Sequence, residues 1–197
     1  MVGWYGPPAA QRQASFIIPL FVDIVSKNGN LLLSIPLPGH GQPDSDEISF
    51  LNELAEWQRV NSEAIKGTRP WKSFGEGPST EAKKTAPYQL SQLKFDHTDI
   101  RFTTKGKTLY AIALGWPMDG KILIKSLAEN AANYPHQIRK VELLGVTSEL
   151  KWTREHRASK SAYRMFRRVS MHSRSESLRA KLSSPSIKTN SCFTQRI

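Results

Sequence analysis

The stretch "VDIVSKNGNLLLSIPLPGHG", residues 22–41, decides how this chain is read. Ahead of it and through its first residues, Ile17, Leu20, Phe21, Ile24 and Val25 recur at helical spacing, which predicts a helix over 15–27. Ser15 stands where it would cap that helix, and Pro19 falls in or just past its first turn, where a missing N–H costs least. Lys27-Asn28-Gly29-Asn30 is a helix stop, with Gly29 suited to the left-handed position. "LLLSI", 31–35, follows at once and does not alternate, so it is expected to be a strand buried on both faces, as in a parallel sheet covered by helices. Helix, short turn and fully buried strand make one αβ step. "PLPGHG" is then a loop at the strand's end, the kind of place where barrel folds carry their chemistry.

Beyond it, Asp44 and Glu47 have capping-box spacing, and with Asp46 they set three carboxylates at a helix start. Ile48, Leu51, Leu54 and Ala55 give the apolar stripe of that second helix, broadened by Phe50, Trp57 and Val60, and Gly67 closes the helical region. Residues 71–98 read as a linker. From 99 the period becomes two: Ile100, Phe102 and Thr104 alternate, Gly106 turns the chain, and Tyr110, Ile112, Leu114 and Trp116 alternate in return. Asp119-Gly120 is a second hairpin signal, with strands expected at 121–127, 140–145 and 150–152. Residues 153–197 hold ten serines and no sustained pattern, and are expected to be a disordered tail. The fold expected is therefore an α/β part, residues 1–70, followed by an incomplete antiparallel β-sandwich over 99–152 and the tail.

The net charge of +11 sits almost wholly in that tail. Residues 1–150 carry 16 Lys/Arg against 15 Asp/Glu, whereas 151–197 carry 12 against 2. The body is electrically ordinary, so nucleic acid is not the expected partner. The arginines of "YRMFRRVSMHSRSESLRAK" and the kinase-like "RRVS", 167–170, are patterns that basic, Ser-rich sequence produces by chance. Cys192 is the only cysteine, which excludes an intrachain disulfide. The five histidines (40, 97, 136, 156, 172) lack metal-ligand spacing, so no metal or cofactor is expected. No apolar run reaches the roughly 20 residues of a membrane span, and the first residues do not form a signal peptide, although a truncated chain would have lost its own. "SFGEGPS" lacks the third glycine of a dinucleotide loop, and no G-x-S-x-G is present.

Four segments taken together resemble glycoside hydrolase family 29, the α-L-fucosidases. "LFVDIVSKNGNLLLSIPLPGHG" is similar to that family's helix-into-strand segment near the end of its catalytic barrel, and "DEISFLNELAEWQRVNSEAIKGTRPW" to the helix that follows. "FGEGPS" and "DIRFTTKGKTLYAIALGWP" resemble the approach to its C-terminal β-sandwich. The likeness covers about residues 15–152. It implies the last αβ units of a TIM-like barrel, then the sandwich, from a retaining hydrolase that removes terminal α-L-fucose from glycans with an Asp nucleophile and a Glu acid/base. In the family both acids lie upstream of the segment that begins here, so this chain is expected to be an inactive C-terminal fragment with no catalytic residue of its own. The resemblance also implies a pocket-lining role for Trp4, near the sugar methyl group, a rim role for His40, and a secreted, periplasmic or lysosomal setting. Asp23, the acid inside the quoted stretch, reads as a solvent-facing or supporting residue of a barrel helix, and Arg69 and Trp71 as pins of the domain junction. Three departures stand out: Pro19 inside a helix, Lys66 where the family has an aromatic, and the end of the likeness at "LKWTRE". The last suggests a frameshift or a wrong gene end over 156–197. Two other readings stay open, a β module that binds glycan or protein and a nucleic-acid binder resting on the tail alone.

Overall fold

The structure is a computed structural model that describes residues 13–81, 94–129, 131–147, 150–155, 165–166 and 193–196. Helix α1 (Ala14–Ser26) and helix α2 (Ser45–Asn61) come first. They pack on one face of a five-stranded antiparallel sheet ordered β1-β2-β3-β7-β5, with β1 Arg69–Glu76, β2 Ile100–Lys105, β3 Thr108–Ala113, β5 Glu142–Leu143 and β7 Phe193–Arg196. A two-stranded ribbon pairs β4 (Lys121–Ile122) with β6 (Met165–Phe166), and a short helix α3 (Pro78–Glu81) follows β1.

The sheet is apolar on both sides. Tyr110, Ile112 and Leu114 meet Ile18 and Val22 of α1 and Phe50 and Trp57 of α2. Ile100, Phe102, Leu109 and Ala111 point the other way, into a second core closed by Ile124, Leu127 and Val141. Trp71 joins that second core edge-on to Phe102, 4.9 Å between ring centroids, which places one of the two expected junction residues in a stacking contact. Arg69 instead donates to the neighbouring Thr68 carbonyl (3.3 Å).

Several local expectations hold. Asp44 caps α2, its Oδ1 accepting from the backbone N–H of Asp46 (3.1 Å) and Glu47 (2.9 Å). Asp44→Ala is expected to cost about 1 kcal/mol, read as a lower urea midpoint with an unchanged slope. Gly106 turns β2 into β3 at φ +59°.

Others are corrected. Helix α1 begins at Ala14 with Gln13 as N-cap and no side-chain cap; the Ser15 hydroxyl only reaches Gln13 Oε1 at 3.4 Å. Pro19, the sixth residue of the helix, does fall just past the first turn as expected, and it lies buried. The left-handed residue at the helix end is Asn28 (φ 65°), not Gly29. Asn28 N–H donates to Val25 O (3.0 Å) and Gly29 N–H to Ile24 O (2.9 Å), the Schellman pattern. Gly29 is required for proximity, since a Cβ there would lie 2.8 Å from Ile24 Cγ2.

On α2 the inward face is Glu47, Phe50, Trp57 and Asn61, with Leu51 and Leu54 half-buried, while Ile48 and Ala55 are exposed. The expected strand at 31–35 does not form a ladder; these residues follow α1 with no strand partner among the described residues. Leu32 is 94% exposed, so the ribbon is not buried on both faces. The expected linker 71–98 starts inside β1, an edge strand whose bulge between Pro70 and Gly75 lets a polar sequence still pair with β2. The strand expected over 121–127 stops after two residues because Lys125–Leu127 is a 3₁₀ turn. Its free N–H groups are taken by Glu76, Lys125 N to Oε1 at 2.7 Å and Ser126 N to Oε2 at 2.6 Å. Strand 140–145 shrinks to Glu142–Leu143, and 150–152 to a single bridge at Lys151. The tail is not wholly without structure: β6 and β7 belong to it, and β7 lies between β3 and β5.

Candidate functional site

The most elaborate polar arrangement in the described residues lies where α1 meets the sheet. Arg101, on β2, is fully buried. Its Nε donates to Asp23 Oδ1 of α1 at 2.6 Å. Its Nη2 donates to Ser79 Oγ of α3 at 2.6 Å, and its Nη1 to the carbonyls of Ile100 (3.1 Å) and Glu76 (3.5 Å). The other oxygen of Asp23 accepts from Lys27 Nζ at 2.7 Å. The Ser79 hydroxyl in turn donates to Asp99 Oδ1 (2.6 Å), which also accepts from the Ser79 N–H (2.8 Å), while Asp99 Oδ2 accepts from Asp96 N–H (3.2 Å). The rings of Phe74 and Phe95 lie 5.6 and 5.8 Å from the guanidinium carbon. Beside this cluster, hydrogen bonds from the Thr98 hydroxyl and N–H hold the Asp96 carboxyl below its ordinary value, the hydroxyl having the larger effect.

Local sequence builds this cluster. Asp23 lies one turn ahead of Lys27, giving an i,i+4 ion pair on α1. Gly77 has φ +110°, and a Cβ there would come within 2.7 Å of Asp99 Cα, so only glycine brings α3 close enough for Ser79 to meet Asp99. With each carboxylate oxygen of Asp23 and Asp99 already bonded, the arrangement suits a joint and not a pair of acids facing a substrate.

Of the two readings of Asp23, solvent-facing or supporting, the first is excluded. Asp23 is buried, and its partner is 78 residues away in sequence. The sequence alone does not single out Arg101, which falls between Ile100 and Phe102, where a period-two strand is expected to face water. One signal was present: Arg101 pairs across with Ile112, and Thr103 with Tyr110, on a face whose other members are apolar. A charged residue on such a face requires a buried partner.

His40 is exposed in the loop after residue 35, and its Nδ1 accepts from Gln42 N–H at 3.3 Å. Trp4 lies outside the described residues. His40 is not among the residues of the Arg101 cluster. The face carrying Tyr110 and Ile112 is covered by the helices and offers no aromatic platform for a sugar. Among the described residues no group of three or more His, Cys, Asp or Glu is placed to hold a metal ion, and no helix is long and apolar enough to cross a membrane.

Two family models match the chain in order. One, described as "Alpha-L-fucosidase", covers residues 5–63, and the other, "Alpha-L-fucosidase C-terminal domain", covers 92–186. The chain belongs to the α-L-fucosidase family. It is 30% identical to tissue α-L-fucosidase of Mus musculus over 139 residues, and 28% identical to that of Homo sapiens over 141. These matches take in 71% and 72% of this chain and 25% of each relative, so the chain spans about a quarter of the length of its curated relatives. Among solved structures, the α-fucosidase of Thermotoga maritima superposes with a TM-score of 0.59 at 22% identity, over 93% of this chain and 34% of that one. Isoenzyme 1 of Paenibacillus thiaminolyticus gives 0.56 at 18% identity, over the same shares. Both likenesses establish the fold: the end of a barrel followed by the C-terminal β domain of an α-L-fucosidase. The second family model reaches residue 186, past the point where likeness was expected to stop, and β7 beyond it joins the same sheet. Both findings run against a frame-shifted end. The joint also gains a meaning, because Asp23 lies in the first matched segment and Arg101 in the second.

Proposed function

We propose that this chain is the C-terminal part of a retaining α-L-fucosidase, and that the whole enzyme removes terminal α-L-fucose from glycans. The observation that carries the proposal is the ordered match of a catalytic-domain segment and a C-terminal domain on one chain, over a quarter of the relatives' length. A T. maritima relative has been solved with fucose bound, which supports a fucoside as substrate. Retaining hydrolysis needs a nucleophile and an acid/base about 5–5.5 Å apart. In this reading both belong to polypeptide outside these residues. Trp4 would line the pocket beside the sugar methyl, and His40 would stand at its rim. This part of the enzyme would supply the barrel's closing helices and the β domain that braces them through Asp23 and Arg101.

The purified 197-residue chain is therefore expected to release no aryl alcohol from an aryl α-L-fucoside above the buffer rate. Loss of catalytic groups that act together typically removes about 10⁴–10⁶ of the rate. Turnover well above the uncatalysed reaction would refute the assignment of the catalytic pair to other polypeptide.

A further inference from the structure

Two separate demands meet at the end of α1. Residue 28 lies at φ 65°, a conformation that asparagine adopts readily and most side chains avoid. Residue 29 has no room for a side chain, since a Cβ would stand 2.8 Å from Ile24 Cγ2 and 3.1 Å from Ile24 O. Together they fix the pair Asn28-Gly29, the only Asn-Gly in the sequence. Asparagine is a thermolabile residue. It is most labile ahead of glycine, where no side chain keeps the next peptide nitrogen from the asparagine amide. Asn28, Gly29 and Asn30 are all exposed, so water and base reach the site. What opposes reaction is the turn itself. Gly29 N–H donates to Ile24 O at 2.9 Å and Asn28 N–H to Val25 O at 3.0 Å, so the nitrogen that would attack is already engaged.

We propose that Asn28 is a latent modification site, a deamidation centre that the closing turn of α1 holds shut and that reacts when this turn frays. In the frayed turn the Gly29 nitrogen gives up its proton to base and attacks Asn28 Cγ. The bond from Cγ to the side-chain nitrogen breaks, that nitrogen takes up a proton and leaves as ammonia, and a cyclic imide joins the two residues. Water then opens one or the other C–N bond of the imide, giving aspartate or isoaspartate at 28. One water enters and one ammonia departs, with no oxidant or reductant. Either product weakens the turn that had protected the amide. A carboxylate at 28 sets negative charge at the C-terminal end of the α1 dipole, where it is unfavourable. Isoaspartate also adds a methylene to the main chain, inside the loop that the Gly29-to-Ile24 bond closes. Lys27 is the adjoining residue, and its Nζ holds Asp23 at 2.7 Å, so the weakened turn carries a member of the joint with Arg101.

The test incubates the full 197-residue chain in mildly alkaline buffer, folded or unfolded in guanidinium chloride at the same pH and temperature. Peptide maps by mass spectrometry follow conversion of the amide to the acid at 28, and hydrogen exchange of the folded chain reads the Gly29 amide in parallel. Conversion is expected to be at least about tenfold slower in the folded chain, with exchange at Gly29 slowed by a similar factor, because both reactions need the same nitrogen released. After ageing, the folded chain is expected to show a fraction whose amides at 27–29 exchange faster than in fresh protein. Asn28→Gly keeps a residue suited to the left-handed position and removes the amide, and it is expected to gain no such fraction. The proposal is overturned by equal conversion in folded and unfolded chain, by slow conversion beside an unprotected Gly29 amide, or by no conversion in the unfolded chain. It is overturned equally by an aged chain whose 27–29 exchange is unchanged, or by the same ageing in the N28G chain.

Discussion

Replacing Arg101 by Met is expected to destabilise the fold by about 3–5 kcal/mol, the usual cost of stripping one partner from a buried ion pair. The loss leaves Asp23 with Lys27 as its only ion-pair partner among the described residues and leaves Ser79 Oγ without the Arg101 donor. Against the roughly 5–15 kcal/mol by which native proteins are stable, that is a large share. Urea unfolding of both chains measures it directly. The double variant Asp23→Leu, Arg101→Met removes the uncompensated charge together with its partner and is expected to recover much of the loss. A single Arg101→Met variant within about 0.5 kcal/mol of the parent would show that the pair contributes nothing to holding α1 on the sheet. Because α1 comes from the segment matched by the model described as "Alpha-L-fucosidase" and β2 from that matched by the C-terminal domain model, the same experiment measures how far the two segments depend on each other.

Phe102→Ala is expected to cost about 3–5 kcal/mol, through lost apolar transfer and the cavity left behind. Phe102 is fully buried, and Trp71 of the edge strand rests edge-on against it. The effect should appear as a lower urea midpoint together with a change in Trp fluorescence, since Trp71 loses the ring it packs on. Phe102→Leu keeps most of the volume and is expected to lose much less. Equal losses in the two variants would contradict cavity formation as the cause.

What could be read in the sequence was local. Helix α1, the Asp44 cap and the Gly106 hairpin all depend on residues within a few positions of one another, and all are present. The buried face of α1 is nevertheless Ala14, Ile18, Val22 and Asp23; of the expected stripe only Leu20 is buried, while Ile17, Phe21, Ile24 and Val25 are half-buried. Where a side chain's partner is distant, the pattern misled. "LLLSI" has the composition of a buried strand, but a strand exists only when a neighbour accepts its hydrogen bonds, and within this chain no described residue does so. Arg101 reads as a surface residue because its environment is set by α1, which lies 75 or more residues earlier. Val22 and Ile24 beside Asp23 suggested a polar stripe facing water, whereas the helix turns that stripe onto Arg101. β7 was the least legible element. "FTQR" has no alternation of its own and closes a basic, Ser-rich segment, and only its register, Tyr110 opposite Arg196 and Leu143 opposite Gln195, makes it a strand. The candidate site fared likewise: Trp4 came from the resemblance alone, and for His40 the residues offered only its place in the loop after 31–35.

The place of β7 in the strand order has a bearing on biosynthesis. A ribosome making this chain delivers β1, β2 and β3 well before β7, the ribbon that joins them to β5. Until β7 emerges, some 80 residues after β3, the β3 margin and β5 lack the strand that pairs with both among the described residues, so the nascent sheet waits half-assembled. A stalled or prematurely released product would thus expose an unpaired β3 margin in its interior, the kind of surface that chaperones and proteases recognise.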